Sequence, residues 1–347
     1  IYLLMRWFLE YSSDKKVLIV VPTTGLVQQM YSDFEEYGFD SENNCHQIYS
    51  GKDKDTDKRI IITTWQSIYK LSGKWFENIG AIFGDECHGF KAKSLSSIMN
   101  KAINAEYRFG TTGTLDGTQT HKMVLEGLFG PVYKVTTTAK LQKEKKLAEL
   151  NIDIIQLTYP KEVCSRLANI SYQEEIDFLV SNKGRNAFIR NLCCSLEGNT
   201  LVLFNLVDKH GKVLRDLIES KLENERKLFY VSGETKTSDR EYVRKIVETQ
   251  NNAVVIASLG TFSTGINIRN LHNIIFASPS KSQIRVLQSI GRGLRLSDDG
   301  RETKLYDIAD DLRSDSRPNF TLQHSAERIK IYKNEKFNFK VTRVNIS

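Results

Sequence analysis

Asp85 and Glu86 stand side by side at the end of the apolar run Ala81-Ile82-Phe83-Gly84 and are followed by Cys87 and His88. A strand that delivers two acids at its C-terminal end puts them where open α/β sheets carry their sites. Such a pair suits nucleotide hydrolysis. One carboxylate holds Mg²⁺ through its waters, and the next orients or deprotonates the attacking water. The competing reading is a strand-end Asp-Glu that merely enters a loop. A second cluster is Gln288-Ser289-Ile290-Gly291-Arg292-Gly293-Leu294-Arg295. On a helical turn, Arg292 and Arg295 point the same way, and the two glycines admit close approach of backbone or phosphate. Guanidiniums brought from a second domain can neutralise the charge spreading over a transferring phosphoryl group, an effect worth about 10³–10⁵ in rate. The alternative there is a basic, solvated helix end.

Small hydroxyl residues and glycines recur after other apolar runs. Pro22-Thr23-Thr24 follows Val17–Val21, Thr64-Trp65-Gln66 follows Ile60–Ile62, and Thr111-Thr112-Gly113-Thr114 follows Tyr107–Gly110. Ser258 to Thr264, with Gly265 and Asn267 beyond it, follows Val254–Ala257. Each is explained by helix capping alone. Each also suits a helix N-terminus that binds a backbone phosphate, or a hydroxyl that bonds a carboxylate.

These residues need strands to carry them. The β-branched runs predict strands at Lys16–Val21, Arg59–Thr64, Ala81–Asp85 and Tyr107–Gly110, then at Asp153–Leu157, Leu201–Phe204, Leu228–Val231, Val254–Ala257, Asn273–Phe276 and Lys304–Ile308. Helical stretches lie between them, among them Gly25–Tyr37, Leu95–Ala102, Lys209–Leu222, Asp239–Thr249 and Ser282–Arg292. Near-continuous apolar strands alternating with helices imply parallel sheets covered on both faces. The set occurs twice, and 347 residues suit two domains. The expected division is 1–140, 141–312 and a basic helical extension at 313–347, with the charged stretch Thr136–Asn151 as linker or connecting helix. The extension holds eight Lys or Arg against three acids, and His324–Phe337 could be a helix with Ile329, Tyr332 and Phe337 on or near one face.

Composition narrows the class. Hydrophobic residues at 40% and charged residues at 26% exclude a disordered chain and a coiled coil as the main architecture. No apolar run approaches the roughly 18 residues of a membrane span. A net charge of +7 fits a polyanionic partner and also fits many enzymes. Five cysteines without a CxxC pair, and six scattered histidines, argue against a disulfide framework or a structural metal and for a reducing compartment. No targeting peptide is visible, and a cytoplasmic setting is expected.

The ordered motifs resemble those of superfamily 2 helicases and translocases. They are Pro22–Met30, Thr63–Ser67, Asp85–His88, Thr112–Thr114, Phe204–Lys212, Val231–Glu234, Ser263–Ile266 and Gln288–Arg295. Within that superfamily the wording is similar to the UvsW-type recombination and repair helicases of T4-like phages. The points of likeness are Thr63–Phe76, Gly84–His88, Ser171–Ile176, Phe262–His272, Tyr306–Asp311 and Glu335–Phe339.

The resemblance implies an α/β protein of two tandem RecA-like parallel-sheet domains with ATP and Mg²⁺ between them. It makes Asp85 the Mg²⁺ holder, through water, and Glu86 the catalytic base. Gln288, Arg292 and Arg295 reach the phosphates. His88, Gly265 and Asn267 fall at the nucleotide, Asn267 standing where many relatives carry Asp. His88 and Thr112, Gly113 and Thr114 couple the nucleotide to the nucleic-acid track. Pro22, Thr23, Thr24, Thr64, Trp65, Gln66, Phe204, Asn205, Ser232, Gly233, Ser258 and Thr264 line the path of one strand. The implied substrates are single-stranded tracks in branched DNA, and RNA–DNA hybrids, in the cytoplasm of a bacterial host.

One departure stands out. The phosphate-binding loop GxxxxGK[ST] is absent: Gly51-Lys52, Gly73-Lys74 and Gly211-Lys212 are followed by Asp53, Trp75 and Val213. The opening residues Ile1–Tyr11 read as the helix that follows such a loop, so the first domain is expected to be incomplete, the natural start to lie upstream, and these residues alone to hydrolyse little ATP. Two rival functions remain at this point: the motor subunit of a restriction or remodelling system, and an ATP-independent nucleic-acid-binding or annealing module.

Overall fold

A computed structural model describes residues 1–12, 14–87, 92–112, 119–136, 150–223, 225–263, 270–278, 302–314 and 317–346. The chain divides into two compact units, Ile1–Lys134 and Val135–Ser347.

The first unit holds strands β1 (Lys16–Val21), β2 (Cys45–Ile48), β3 (Ile60–Thr64), β4 (Ile79–Gly84) and β5 (Tyr107–Gly110) in the order β2-β3-β1-β4-β5. All pairs are parallel. The central strands are buried along all but Lys16 of β1 because both faces are covered, which is why their sequences run apolar without alternation. On one face, Met5 and Phe8 of helix Tyr2–Tyr11 join Val27 and Phe34 of helix Thr24–Glu36. Ile98 and Met99 of helix Ala92–Lys101 lie in the cluster on the other face. Strand β2 was hidden in the sequence because its four residues, Cys-His-Gln-Ile, place two half-buried polar side chains on a short edge. Strand β4 ends at Gly84, one residue short of the expected end, yet Asp85 N–H still donates to Val20 O at 2.9 Å.

The second unit holds β6 (Leu150–Thr158), β7 (Thr200–Phe204), β8 (Leu228–Val231), β9 (Val254–Ser258), β10 (Asn273–Phe276), β11 (Thr303–Asp311) and β12 (Asn338–Asn345), in the order β12-β6-β11-β10-β7-β9-β8. These pairs are parallel too. The C-terminal residues, expected as a helical extension, are only partly helical. After helix Phe320–Asn334 the chain forms β12, registered from Asn338 against Asn151 to Asn345 against Thr158. Phe339 and Val344 are an odd number of residues apart, so they face opposite sides of the sheet and join different clusters. Val341 shares the side of Phe339 but is 49% exposed, so the strand buries too little to show an alternation.

Helix Phe320–Asn334 is pinned at both ends. Glu175, itself buried, accepts from the backbone N–H groups of Phe320 (3.0 Å) and Thr321 (2.8 Å). Further along, Arg328 donates to both oxygens of Asp307 at 2.8 Å, and the Tyr332 hydroxyl donates to the same carboxylate at 2.7 Å. Arg328 and Tyr332 are fully buried. Ile329 and Phe337 pack against the cluster that contains Tyr332. Among the described residues no helix is long and apolar enough to cross a membrane, and no group of three or more His, Cys, Asp or Glu side chains is placed to hold a metal.

Candidate nucleotide and nucleic-acid sites

In a parallel sheet every strand ends at the same edge, so residues that follow different strands become neighbours. In the first unit the register sets Val21 beside Thr64 and Val20 beside Gly84. That edge gathers Pro22, Thr23 and Thr24 after β1, Thr64, Trp65 and Gln66 at the end of β3, Asp85 and Glu86 after β4, and Thr111 and Thr112 after β5. Thr23 caps helix Thr24–Glu36 by accepting from Leu26 N–H at 3.4 Å. Gln66 Nε2 donates to Pro22 O at 3.3 Å, linking two of the motifs directly. The Thr64 hydroxyl lies 2.8 Å from that of Ser67, an interaction local to its own helix start.

The acidic pair is fixed by β5. Thr111 N–H donates to Gly84 O (2.8 Å), Cys87 N–H donates to Thr111 O (3.1 Å), and the Thr111 hydroxyl donates to Asp85 Oδ1 (2.7 Å). Thr111, the first of the four residues Thr111–Thr114 read from the sequence, thus brings a hydroxyl to the carboxylate. Glu86 has φ 49°, in the left-handed region. A non-glycine residue held there costs on the order of 1–3 kcal/mol. The conformation turns the chain sharply, so that Asp85 and Glu86 stay half-buried at the edge while Cys87 enters the core. Space at Gly110 is also committed: a Cβ there would lie 2.9 Å from the Phe129 ring and 3.2 Å from Cys87 Sγ. Asp85 and Thr111 border a hollow of about 930 Å³ whose rim includes Tyr2, Asp33 and Tyr37. A strand-end carboxylate with hydroxyl support beside an open hollow is a donor set that fits water-mediated Mg²⁺.

In the second unit the corresponding edge gathers Phe204 and Asn205, Ser232 and Gly233, and Ser258. Ser258 and Thr261 hydroxyls are 2.6 Å apart, and Ser232 N–H donates to the Thr235 hydroxyl at 3.0 Å. Phe204, expected on the strand track, lies in the core. Its side chain is fully buried and stacks on Tyr230 at 5.5 Å and 11°. A Cβ at Gly211 would meet the Phe204 ring at 2.4 Å, so glycine is required at that approach. Phe204 thus shapes the core, and contact with a nucleic-acid strand from this position would pass through its backbone. Asn205 is exposed.

Sequence reasoning missed what lies beneath this edge. Arg185, fully buried, donates to Asp310 Oδ1 (2.9 Å), Asp310 Oδ2 (3.0 Å) and Ala277 O (2.8 Å). Tyr159 adds a hydroxyl to Asp310 at 2.7 Å. Burial, then the neighbouring Arg185 charge, push the His210 pKa down to about 3. His88, Gly113, Thr114, Thr264, Gly265, Asn267, Gln288, Arg292 and Arg295 lie outside the described residues, as does the expected helix Ser282–Arg292.

Comparison with known proteins follows the same two blocks. The model of the type III restriction enzyme res subunit matches residues 1–117, and that of the helicase conserved C-terminal domain matches residues 184–297. The ATP-dependent DNA helicase UvsW of Enterobacteria phage T4 is 36% identical over 361 residues, covering 99% of this chain and 71% of the phage protein. The crystal structure of T4 UvsW matches with a TM-score of 0.50 at 35% identity, over 99% of this chain and 70% of that one. The DNA-bound type ISP restriction-modification enzyme LlaBIII matches with a TM-score of 0.66 over 98% of this chain and 29% of its own, but at 15% identity the likeness is one of fold.

Proposed function

The chain belongs to the UvsW-type family of ATP-dependent superfamily 2 helicases, with two RecA-like domains, and from that membership we propose that it moves along one strand of branched DNA or of RNA–DNA hybrids in recombination, repair and replication control. The observation that carries the chemical part is the Thr111–Asp85 hydrogen bond of 2.7 Å at the strand edge where the acidic pair emerges. Membership of an ATP-dependent family leaves the annealing reading without support. Sequence likeness to the phage helicase over nearly the whole chain favours that class over a restriction motor.

In this reading Asp85, oriented by Thr111, presents its carboxylate to the waters of Mg²⁺. The ion, when bound, neutralises negative charge on the phosphates. Glu86 takes the proton of the attacking water. Arg292 and Arg295, with Gln288, meet the phosphates from the second domain, His88, Gly265 and Asn267 stand near the nucleotide, and Thr112–Thr114 pass the change onward. Pro22–Thr24, Thr64–Gln66, Asn205, Ser232–Gly233, Ser258 and Thr264 hold phosphates of the strand, so binding is largely independent of sequence and falls with salt. The setting is the cytoplasm of an infected bacterium. The test is DNA-stimulated ATP turnover and fork unwinding by the full-length protein, wild type against Glu86→Gln. Unwinding that survives loss of ATP turnover would overturn the proposal.

A further inference from the structure

The turn that follows β7 is unusual. His210 N–H and Gly211 N–H both donate to Leu206 O, at 3.2 and 2.8 Å, and the Gly211 bond spans five residues. This single π-turn, Val207–Gly211, is one residue wider per turn than an α-helix and leaves Asn205, Asp208 and Lys209 exposed while His210 and Gly211 are buried. Such widened turns survive only where surroundings hold them. Here Gly211 lies flat against the Phe204 ring. Ser278, 2% exposed, supplies the other hold. Its Oγ accepts from Asn205 N–H at 2.9 Å and lies 3.2 Å from His210 Nδ1. Ser278 is itself placed from below: Ala277 N–H donates to Leu203 O at 3.0 Å, and the Ala277 carbonyl accepts from Arg185, which the Asp310 carboxylate grips in a fork.

We propose that Ser278 is a positioning residue that locks the Asn205 backbone and the π-turn, so that the Asn205 side chain meets the phosphates of the bound strand in one fixed orientation. The inference rests on the reading of Asn205 as part of the strand track. The Ser278 hydroxyl is suited to the task because one oxygen can accept the Asn205 amide proton and also share a hydrogen bond with the His210 ring. Arg185 and Asp310 act one step further away, by fixing Ala277.

The test is fluorescence anisotropy of a labelled oligo-dT strand titrated with the full-length protein without nucleotide. Ser278→Ala should weaken binding about five- to tenfold, the loss of one hydrogen bond's worth of orientation. Ser278→Thr, which keeps the hydroxyl, should bind as the wild type does. If Ser278→Ala does not fold, Ser278→Cys, close in size but a poor hydrogen-bonding group, is measured in its place with the same expectation. Asn205→Asp reports on the track itself, since a carboxylate facing phosphates must weaken binding. Wild-type affinity in Ser278→Ala with weakened Asn205→Asp overturns the positioning role and leaves the track reading standing. Wild-type affinity in both overturns the two together. A Ser278→Thr variant as weak as Ser278→Ala, or a weak Ser278→Ala beside an unaffected Asn205→Asp, also overturns the proposal, because the defect would then be one of packing.

Discussion

The Thr111 hydroxyl donates to Asp85 Oδ1 at 2.7 Å, so the residue after β5 orients the carboxylate after β4. The contact is short, crosses 26 positions of sequence and lies beside an open hollow. Thr111→Val keeps the shape and removes the donor. In the full-length protein we expect kcat/KM for ATP to fall about tenfold, equivalent to roughly 1.4 kcal/mol, and the Mg²⁺ concentration for half-maximal rate to rise. Thr111→Ser should restore both. Unchanged Mg²⁺ dependence in the valine variant would show that Thr111 serves packing only.

Glu86→Gln preserves size and the ability to orient water but cannot take a proton. Turnover should fall by about 10² or more while nucleotide affinity is retained. Binding of a fluorescent ATP analogue and steady-state phosphate release, measured on the same preparation, separate the two effects. Near-normal turnover would move the base to another residue.

Arg292→Ala and Arg295→Ala discriminate between two uses of a guanidinium. If these residues meet the phosphoryl group in the transition state, each loss should cut hydrolysis by a factor of about 10³, or roughly 4 kcal/mol, with little change in nucleotide-free strand binding. If they belong to the strand track, affinity and its salt slope fall by about one contact per arginine while DNA-free hydrolysis persists. The second pattern would remove them from the catalytic set.

Residues 1–347 contain no GxxxxGK[ST] loop, the element that cradles the β- and γ-phosphates. We expect this stretch by itself to hydrolyse ATP poorly, with or without single-stranded DNA. Robust DNA-stimulated turnover from these residues alone would mean that another group grips the phosphates.

His210 should make the second unit sensitive to acid. Burial holds its folded pKa at about 3, below the usual 6.5 of an unfolded chain, so the unfolded state binds the extra proton first. Stability contributed by the neutral ring is complete above pH 6.5 and declines by about 1.4 kcal/mol per pH unit as pH falls through the window towards 3. His210→Gln should flatten this part of the denaturation profile. An identical pH slope in wild type and variant would assign the acid response to other groups.

Legibility in the sequence followed the physics of burial. Runs such as Val17–Val21 and Leu201–Phe204, buried on both faces, announce themselves by composition, and the motifs fall at their ends. The edge strands β2 and β12 carry no such signal, because β2 is short and half polar and β12 buries only part of Phe339 and Val344. The sequence sets Phe204 at a strand end but does not say where its ring goes. Only the packed structure shows its ring committed to Tyr230 and Gly211. The Arg185–Asp310 pair joins residues 125 positions apart, and nothing local marks either one as buried and paired.

Strand β6 opens the second unit, yet its two neighbours in the sheet are β11 and β12, the last two strands among the described residues. During synthesis β6 therefore leaves the ribosome with both edges bare and waits for roughly 150 more residues before either partner exists. Delayed parallel pairing of this kind is slow and exposes strand edges to other chains. Ribosome-bound intermediates of this protein should accordingly be clients of chaperones that shield β edges, and losing the final ten residues should harm yield more than the modest burial of β12 suggests.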